Sequence, residues 1–475
     1  QSLEAWMKAT LRKWTARLVA GGSVLIFLFV ASLFSAAPAQ AIPAFARKYG
    51  LPCSACHVGW PELTNFGQVF RDNGYQMMND RDSPITRDAS YFPATIRITP
   101  QWHLESASNQ TVDSIVGGGG GSTSISKTIN VSGFDLSGMD MWFAGTLFKN
   151  ISFSALPSSN SLAQWHFENA YVRFDNIKGS SWLNFKAGKY ELDLPVSEKR
   201  LLTMSGNGGF YYIYHFKPVG DSNPWGGIGD NQLGLELSGH NANSYTRYAF
   251  SAVSSVDGQV GLPAGRTFDF YGHFDQAFNV GSSGYMKIGA YGYFGQSSTY
   301  FQTTGGGAGT IGAGMGNKPY YRAGAEWKWY LNKWIFKGVY LHGYENSFLA
   351  TGTPATSGNT IPVGGQAAIW NGGFLEGQYV FSPQWIIIGR YETVRMSQQA
   401  FTTNPGNLGD LDAFTIASRY YPIMFSRAGL ALQQEYSFVR SKGITNQGGA
   451  FGQIPLGPGL NVNSSSVFLG VDFDF

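Results

Sequence analysis

The chain has 475 residues, of which only 13% are Asp, Glu, Lys or Arg, and its formal net charge is +3 at neutral pH. Aromatic residues make up 15% and there are 62 glycines, both high for a globular protein. The mean hydropathy of −0.13 excludes a bundle of membrane helices. Low charge excludes a charge-driven disordered chain, and no basic run beyond the N-terminus indicates a nucleic-acid partner. The composition favours an all-β protein.

The first 41 residues predict a secretory signal peptide, because three features follow one another in the required order. Basic residues occupy 8–17, an apolar run spans 18–34, and the small-residue segment 39–41 (Ala-Gln-Ala) resembles a cleavage site. A single anchoring helix is the alternative interpretation. We therefore expect an exported mature chain that begins at Ile42.

The only two cysteines lie in the segment Cys53-Ser54-Ala55-Cys56-His57. In an exported chain this C-x-x-C-H spacing predicts covalent c-type haem attachment. Two thiols three residues apart can reach both vinyl groups of one porphyrin, and the adjacent imidazole can bind the iron. A redox dithiol and a structural disulfide are the alternatives, although the βαβ context of a thioredoxin-type site is missing. We expect one haem c, held by Cys53 and Cys56, with His57 as the proximal iron ligand.

The residues after the motif predict a short amphipathic helix. Leu63, Phe66 and Phe70 recur at helical spacing and would form one apolar face. Pro61 is expected to open this helix and Gly74 to close it.

The predicted haem domain, residues 42–90, is too short to bury a stable core by itself, so it needs a covalent cofactor or a host. Gly67 is expected to let the backbone approach the porphyrin. The sixth iron ligand remains open. Met77 or Met78 and His103 are the candidates, and a five-coordinate haem is the other possibility.

Residues 91–475 predict a transmembrane β-barrel. In 96–104, 268–275 and 321–328, charged or polar residues share one face and apolar or aromatic residues the other. A soluble sandwich also alternates, but charges facing inward beneath an apolar exterior are typical of a barrel in the outer membrane. The candidate lumen residues are Arg97, Gln101, His103, Asp269, His273, Arg322 and Glu326.

The strand count and the connections support the same interpretation. Short turns alternate with long connections, among them 105–138 and 191–230, and an even number of strands places both chain ends in the periplasm. The apolar last strand ends in Phe475, as in barrels that insert into the outer membrane. The sixteen predicted strands lie near 94–104, 139–148, 150–157, 164–176, 181–190, 231–239, 245–254, 267–277, 285–295, 320–330, 334–344, 373–381, 384–394, 412–420, 427–438 and 466–475.

The N-terminal part of the mature chain also carries a longer pattern. It comprises Ile42-Pro43-Ala44-Phe45-Ala46-Arg47, Gly50, Cys53, Cys56, His57, Pro61, Leu63, Phe66-Gly67, Phe70 and Gly74-Tyr75. This pattern resembles the fused outer-membrane cytochrome–porin iron oxidases of Fe(II)-oxidising bacteria. The chain departs from it at Lys48-Tyr49, where that family has Gln-Thr, and at Gln68, where it has Arg. The barrel is similar in architecture only.

The resemblance implies a sixteen-stranded antiparallel outer-membrane β-barrel with a small α-helical haem domain in the periplasm or the lumen. Its expected function is electron transfer through the outer-membrane bilayer, from extracellular Fe(II) or another donor to a periplasmic c-type cytochrome or other acceptor. A high-potential haem is required to oxidise acidic Fe(II), and Met ligation favours one. Two other functions remain open, namely a solute porin with a sensory or structural haem, and electron export to external acceptors.

Overall fold

The structure is a computed structural model. The predicted signal peptide, Met78 and Phe475 lie outside the residues that it describes. These are 44–77, 94–116, 122–159, 164–201, 203–218, 225–254, 268–296, 299–301, 310–312, 319–346, 366–424, 429–442 and 461–474.

Residues 44–77, the N-terminal module, form short helices and a two-stranded ribbon. The elements are α1 (Ala44–Tyr49), α2 (Cys53–Cys56), β1 (His57–Gly59), β2 (Glu62–Leu63) and α3 (Asn65–Asp72). No helix among the described residues is long and apolar enough to cross a membrane.

The predicted helix of the module begins later than expected. Thr64 caps α3, since its hydroxyl accepts a hydrogen bond from the Gly67 N–H (3.1 Å) and donates one to the Ala55 carbonyl (2.9 Å). The expected start at Pro61 is therefore wrong, because β2 occupies the intervening residues. The expected apolar face is also wrong in part, since Phe66 is 42% exposed.

The expected end of this helix at Gly74 is confirmed. Gly74 has φ +79°, the left-handed conformation that glycine adopts without strain. Its N–H donates to the Arg71 carbonyl at 3.1 Å, and the Tyr75 N–H donates to the Phe70 carbonyl at 3.0 Å. This is a Schellman motif, and the rings of Tyr75 and Phe70 accompany it at a centroid distance of 6.3 Å.

A closed antiparallel barrel follows, with sixteen strands among the described residues, as predicted. The small sheet β12–β13 (Thr299–Phe301, Thr310–Gly312) lies outside this ring. The barrel strands are β3 (Ala94–Val116), β4 (Ser122–Phe148), β5 (Ile151–Ser159), β6 (Trp165–Phe174), β7 (Asn184–Tyr190), β8 (Gln232–His240), β9 (Thr246–Ser254), β10 (Asp269–Asn279), β11 (Tyr285–Gln296), β14 (Pro319–Leu331), β15 (Trp334–Glu345), β16 (Ala368–Ser382), β17 (Trp385–Gln398), β18 (Leu411–Met424), β19 (Gly429–Lys442) and β20 (Asn461–Asp474).

The first and last strands close the barrel. Strand β20 pairs with β3, with Phe473 opposite Ile98 and Asp474 opposite Arg97. Arg97 Nε donates to an Asp474 carboxylate oxygen at 3.0 Å, so an ion pair also joins the two strands.

The expected long loop at 105–138 is wrong, because β3 and β4 continue as a hairpin through most of it. They remain paired as far as Val116 opposite Ser122. The sequence there is rich in Ser, Thr and Asn and lacks the apolar face of a lipid-facing strand. Strands need that face only where they contact lipid, so the extension is consistent with a hairpin that projects beyond the membrane.

The exterior of the barrel is apolar and the interior is polar. Phe250, Phe270 and Phe274 face outward with 51%, 44% and 51% of their surfaces exposed, whereas His273 and Asp275 on the same strand as Phe274 are buried. A closed barrel pairs its backbone groups internally, which an apolar bilayer requires. The apolar exterior and the closed sheet together define an outer-membrane barrel.

The described residues of the long connection between β7 and β8, 191–201, 203–218 and 225–231, fold into the lumen. They contain the one-turn helix α4 (Tyr212–His215). Tyr211 and Ile213 are each 1% exposed, and the Tyr211 ring stacks on Phe374 of β16 with centroids 4.2 Å apart. The alternation of short periplasmic turns with long connections predicts an external loop here, and this prediction is wrong for the described residues. The run of Tyr and Ile side chains is instead buried against the inner wall, which removes their apolar surface from water.

Candidate functional site

The N-terminal module lies inside the barrel and contacts several parts of its inner wall. Lys337 of β15 forms an ion pair with Glu62. On β9, Arg247 Nε lies 3.0 Å from the Asp72 carboxylate, and on β6 an Arg173 amino group donates to the Arg71 carbonyl at 2.9 Å. These strands occupy separate positions around the ring, so the module spans the lumen.

The module occupies the end of the barrel that carries the short turns. Gln76 Nε2 donates to the carbonyl of Lys149, in the β4–β5 turn, at 2.9 Å. Val58 packs on Val380 and Ile386, which flank the β16–β17 turn. Short turns face the periplasm in outer-membrane barrels, so this position agrees with an N-terminus exported to the periplasm.

Two buried carboxylates hold the module to the wall. Burial by itself would raise the pKa of Glu62 and of Asp72. The neighbouring cations outweigh burial, so Lys337 keeps the pKa of Glu62, and Arg247 that of Asp72, below the ordinary value. Both carboxylates are therefore ionised at neutral pH. Removing one partner from such a buried pair costs about 3–5 kcal/mol.

The Cys53–His57 segment faces a cavity of about 380 Å³ between the module and the barrel wall. Cys53 is buried and Cys56 is half-buried, and both are thiols. Burial raises the pKa of the Cys56 thiol. His57 Nδ1 lies 3.2 Å from the Pro61 carbonyl oxygen. A carbonyl only accepts, so Nδ1 carries the proton and the imidazole lone pair is on Nε2, the form that binds iron.

The cavity suits a flat, largely apolar macrocycle. The module contributes aromatic side chains, with Phe45 stacked on Tyr75 at 5.1 Å and edge-on to Phe70 at 5.1 Å. The two thiols and the His57 imidazole open onto the same space. The donor set and the aromatic part of the lining therefore fit a haem c, which Cys53 and Cys56 would attach and His57 would bind as the proximal ligand.

Gly67 lines the cavity and also has a packing role that the sequence did not predict. A Cβ on Gly67 would overlap the backbone carbonyl of Cys56. Gly67 therefore lets α3 pack directly on the end of α2, which holds the C-x-x-C-H turn in place. Its backbone contacts protein at this point.

The two described candidates for the sixth ligand, Met77 and His103, do not line the cavity. Met78 lies outside the described residues. His103 sits on β3 with Nδ1 3.4 Å from Glu105. Met424 and His240 do line the cavity. They lie far from the motif in sequence, and the only signal for His240 was its inward phase on a strand.

The predicted lumen residues face inward, and two of them, His273 and Arg322, contact the 191–231 connection. Arg97 lines the cavity. His273 bridges Asp193 and Glu326, each at 3.0 Å. The Arg322 guanidinium lies over the Trp225 ring at 5.0 Å. Asp269 accepts from the Tyr293 and Tyr320 hydroxyls, and Gln101 donates to Asp135.

The architecture therefore defines the chain as an outer-membrane β-barrel of porin type with an occupied lumen. The sequence matches no protein-family model and no curated protein.

Solved structures with a similar fold are porins and channels. The anion-selective porin from Comamonas acidovorans has a TM-score of 0.47 and 12% identity, over 80% of this chain and 99% of the porin. The channel DcaP of Acinetobacter baumannii has a TM-score of 0.45 and 11% identity, over 83% and 100%. The trimeric OmpT of Vibrio cholerae has a TM-score of 0.44 and 10% identity, over 81% and 100%. At these TM-scores and identities the likeness carries no argument about the role of this chain.

Proposed function

We propose that this barrel is an electron-transfer protein of the outer membrane that carries one covalent haem c in its lumen. The observation that carries the proposal is the C-x-x-C-H segment, whose two thiols and imidazole open onto an aromatic-lined cavity inside the barrel. A haem bound there would supply a one-electron redox centre.

The residues of the chain supply the remaining requirements. Cys53 and Cys56 attach the cofactor, and the Pro61 carbonyl orients the His57 ring. The ion pairs of Glu62 and Asp72 fix the module at the short-turn end, within reach of a periplasmic acceptor such as a c-type cytochrome. Extracellular Fe(II) is the donor that the sequence resemblance suggests.

Purified protein, expressed with the haem-attachment machinery, tests this proposal. We expect covalent haem that survives denaturing electrophoresis, and a Cys53→Ala, Cys56→Ala double variant that inserts as a folded barrel without it. We also expect Fe(II) to reduce the oxidised wild-type protein. Wild-type protein without covalent haem would overturn the haem assignment, and a haem that Fe(II) leaves oxidised from acidic to neutral pH would remove Fe(II) as donor.

Solute passage is the second candidate function, and the porin-type architecture supports it directly. The module and the 191–231 connection both occupy the lumen, which favours a small or gated conductance over a wide pore. Single-channel conductance in planar bilayers separates the two functions. A large, steady conductance together with a lack of covalent haem would favour a solute channel over electron transfer.

A further inference from the structure

His240 shares the cavity with the C-x-x-C-H segment. It is the last residue of β8, at the same end of the barrel as the module. Its side chain points inward, in phase with Glu236 of the same strand, and is 3% exposed. It lines the same cavity as Cys53 and His57.

The hydrogen bonds of His240 fix which ring nitrogen carries the lone pair. Nδ1 lies 2.9 Å from the carbonyl oxygen of Asn241 and 3.5 Å from the Ser244 hydroxyl. Because the carbonyl only accepts, Nδ1 carries the proton. In the neutral ring the lone pair is therefore on Nε2, as in metal-binding histidines whose other nitrogen donates to a carbonyl.

The Nε2 atom of His240 is buried and has no hydrogen-bond partner among the described residues. Leaving a buried polar atom unsatisfied costs about 1–3 kcal/mol, so such atoms in a stable protein call for an explanation. A ligand in the adjoining cavity would provide the missing partner.

Other side chains of the cavity are less suited to bind iron. Met424 is packed in an apolar cluster with Cys53 and Tyr421, and Lys199 forms an ion pair with Glu168. The Tyr421 hydroxyl also has no hydrogen-bond partner among the residues that the structure describes. A phenol, however, must lose its proton to become an effective iron ligand, which burial opposes, whereas neutral imidazole binds without losing one.

We propose that His240 would bind the haem iron as its sixth ligand, so that the imidazoles of His57 and His240 would complete the iron coordination. This inference rests on the proposed function, since it requires the haem. It differs from the candidates Met77, Met78 and His103 and implies a lower reduction potential than His–Met ligation gives. Such a haem suits Fe(II) near neutral pH, where hydrolysis of Fe(III) lowers the potential of the iron couple, better than acidic Fe(II).

Spectroscopy of the purified holoprotein tests the proposal. The proteins compared are the wild type, His240→Ala, His240→Met, and His103→Ala as a histidine control on another strand. Haem staining after denaturing electrophoresis reports attachment. Absorbance and electron paramagnetic resonance of the ferric protein report the spin state and the axial ligands, and a redox titration reports the potential.

We expect a low-spin two-imidazole spectrum in the wild type and in His103→Ala. In His240→Ala the ferric haem becomes predominantly high-spin while remaining covalently attached, and added imidazole restores the low-spin spectrum. His240→Met gives a thioether-ligand spectrum and a higher potential.

Three results would overturn the proposal: a high-spin wild type, a wild-type thioether spectrum, or a low-spin spectrum unchanged in both His240 variants. Haem staining separates these from failure of the proposed function. If the protein carries covalent haem but shows one of these results, only the assignment of His240 as the sixth ligand is refuted. If the wild-type protein carries no covalent haem, the proposed function is refuted as well.

Discussion

Single residues keep the C-x-x-C-H turn in place. The Thr64 hydroxyl joins the α3 cap to the Ala55 carbonyl, and Gly67 lies where any Cβ would overlap the Cys56 carbonyl. The motif therefore depends on its neighbours for its shape. Sequence spacing identifies the thiols and the imidazole, but the contact that holds them belongs to α3.

The substitution Gly67→Ala tests this contact. The added methyl group forces α3 away from α2, and overpacking of this kind costs about 1–3 kcal/mol. We expect faster hydrogen exchange across residues 44–77, measured by mass spectrometry, and a lower yield of covalent haem. Gly389→Ala is the matched control, since a Cβ there meets nothing within 4 Å. Equal exchange in the two variants would contradict the packing role of Gly67.

Asp72 makes the attachment of the module depend on pH. Burial would raise its pKa, but Arg247 and Arg71 lower it below the ordinary value. A carboxylate with a lowered folded-state pKa stabilises the fold above its unfolded pKa of about 4, and that stabilisation is lost as the pH falls below it.

We therefore expect residues 44–77 to stay protected from hydrogen exchange from neutral pH down to about 4, and to lose protection in stronger acid. Asp72→Asn should weaken protection already at neutral pH and flatten the acid dependence. Asp412→Asn, at a carboxylate exposed on the barrel, is the control. An unchanged acid profile in Asp72→Asn would show that Asp72 does not anchor the module.

Among the elements, the 191–231 connection is held by a partly buried ion pair between two of its own residues. His215 Nε2 lies 2.8 Å from a Glu198 carboxylate oxygen, and Nδ1 lies 3.2 Å from the Gly226 carbonyl. Burial lowers the pKa of His215, but Glu198 outweighs burial and raises it to about 9. The stabilisation is complete below the unfolded pKa of about 6.5 and is lost as the pH rises through about 9.

Because loss of the His215 proton removes this stabilisation, we expect the connection to loosen in mild alkali. Bilayer conductance of the wild type should rise between pH 7 and pH 10, roughly the interval over which an imidazolium of this pKa loses its proton. His215→Gln should show the higher conductance already at pH 7, with little pH dependence. His342→Gln, on β15, is the control. A wild-type conductance that stays constant over this interval would rule out His215 as the closing group.

At the scale of the whole molecule, two segments of the chain occupy the lumen of the barrel. The N-terminal module fills the short-turn end, and the 191–231 connection packs against β16 and β17. An outer-membrane barrel normally encloses water, so this filling decides how freely solutes pass.

Shortening the connection tests this point. Replacing residues 203–218 by a short Gly-Ser linker should raise single-channel conductance several-fold, because buried Tyr211 and Tyr214 leave the lumen. Trimming the β3–β4 hairpin beyond Ser108 is the control, since that part is expected to project beyond the membrane. Equal conductance in both variants would place the constriction elsewhere.

Much of the fold could be predicted because strands carry a local signal. Phe270 and Phe274 alternate with buried His273 and Asp275, and this period of two identifies a lipid-facing strand from neighbouring residues alone. The predicted ends of strands and helices were wrong where this local signal was weak. The β3–β4 extension has no apolar face, and the start of α3 depended on the Thr64 cap.

The sequence by itself determined the barrel, its strand count and the Cys53–Cys56–His57 motif, because each is encoded by short spacings along the chain. Only the tertiary structure decided that the connection after Tyr190 turns inward and that His240 faces the cavity of the motif. These depend on which residues meet across a closed ring, and strand pairing brings together positions whose separation along the chain carries no local pattern.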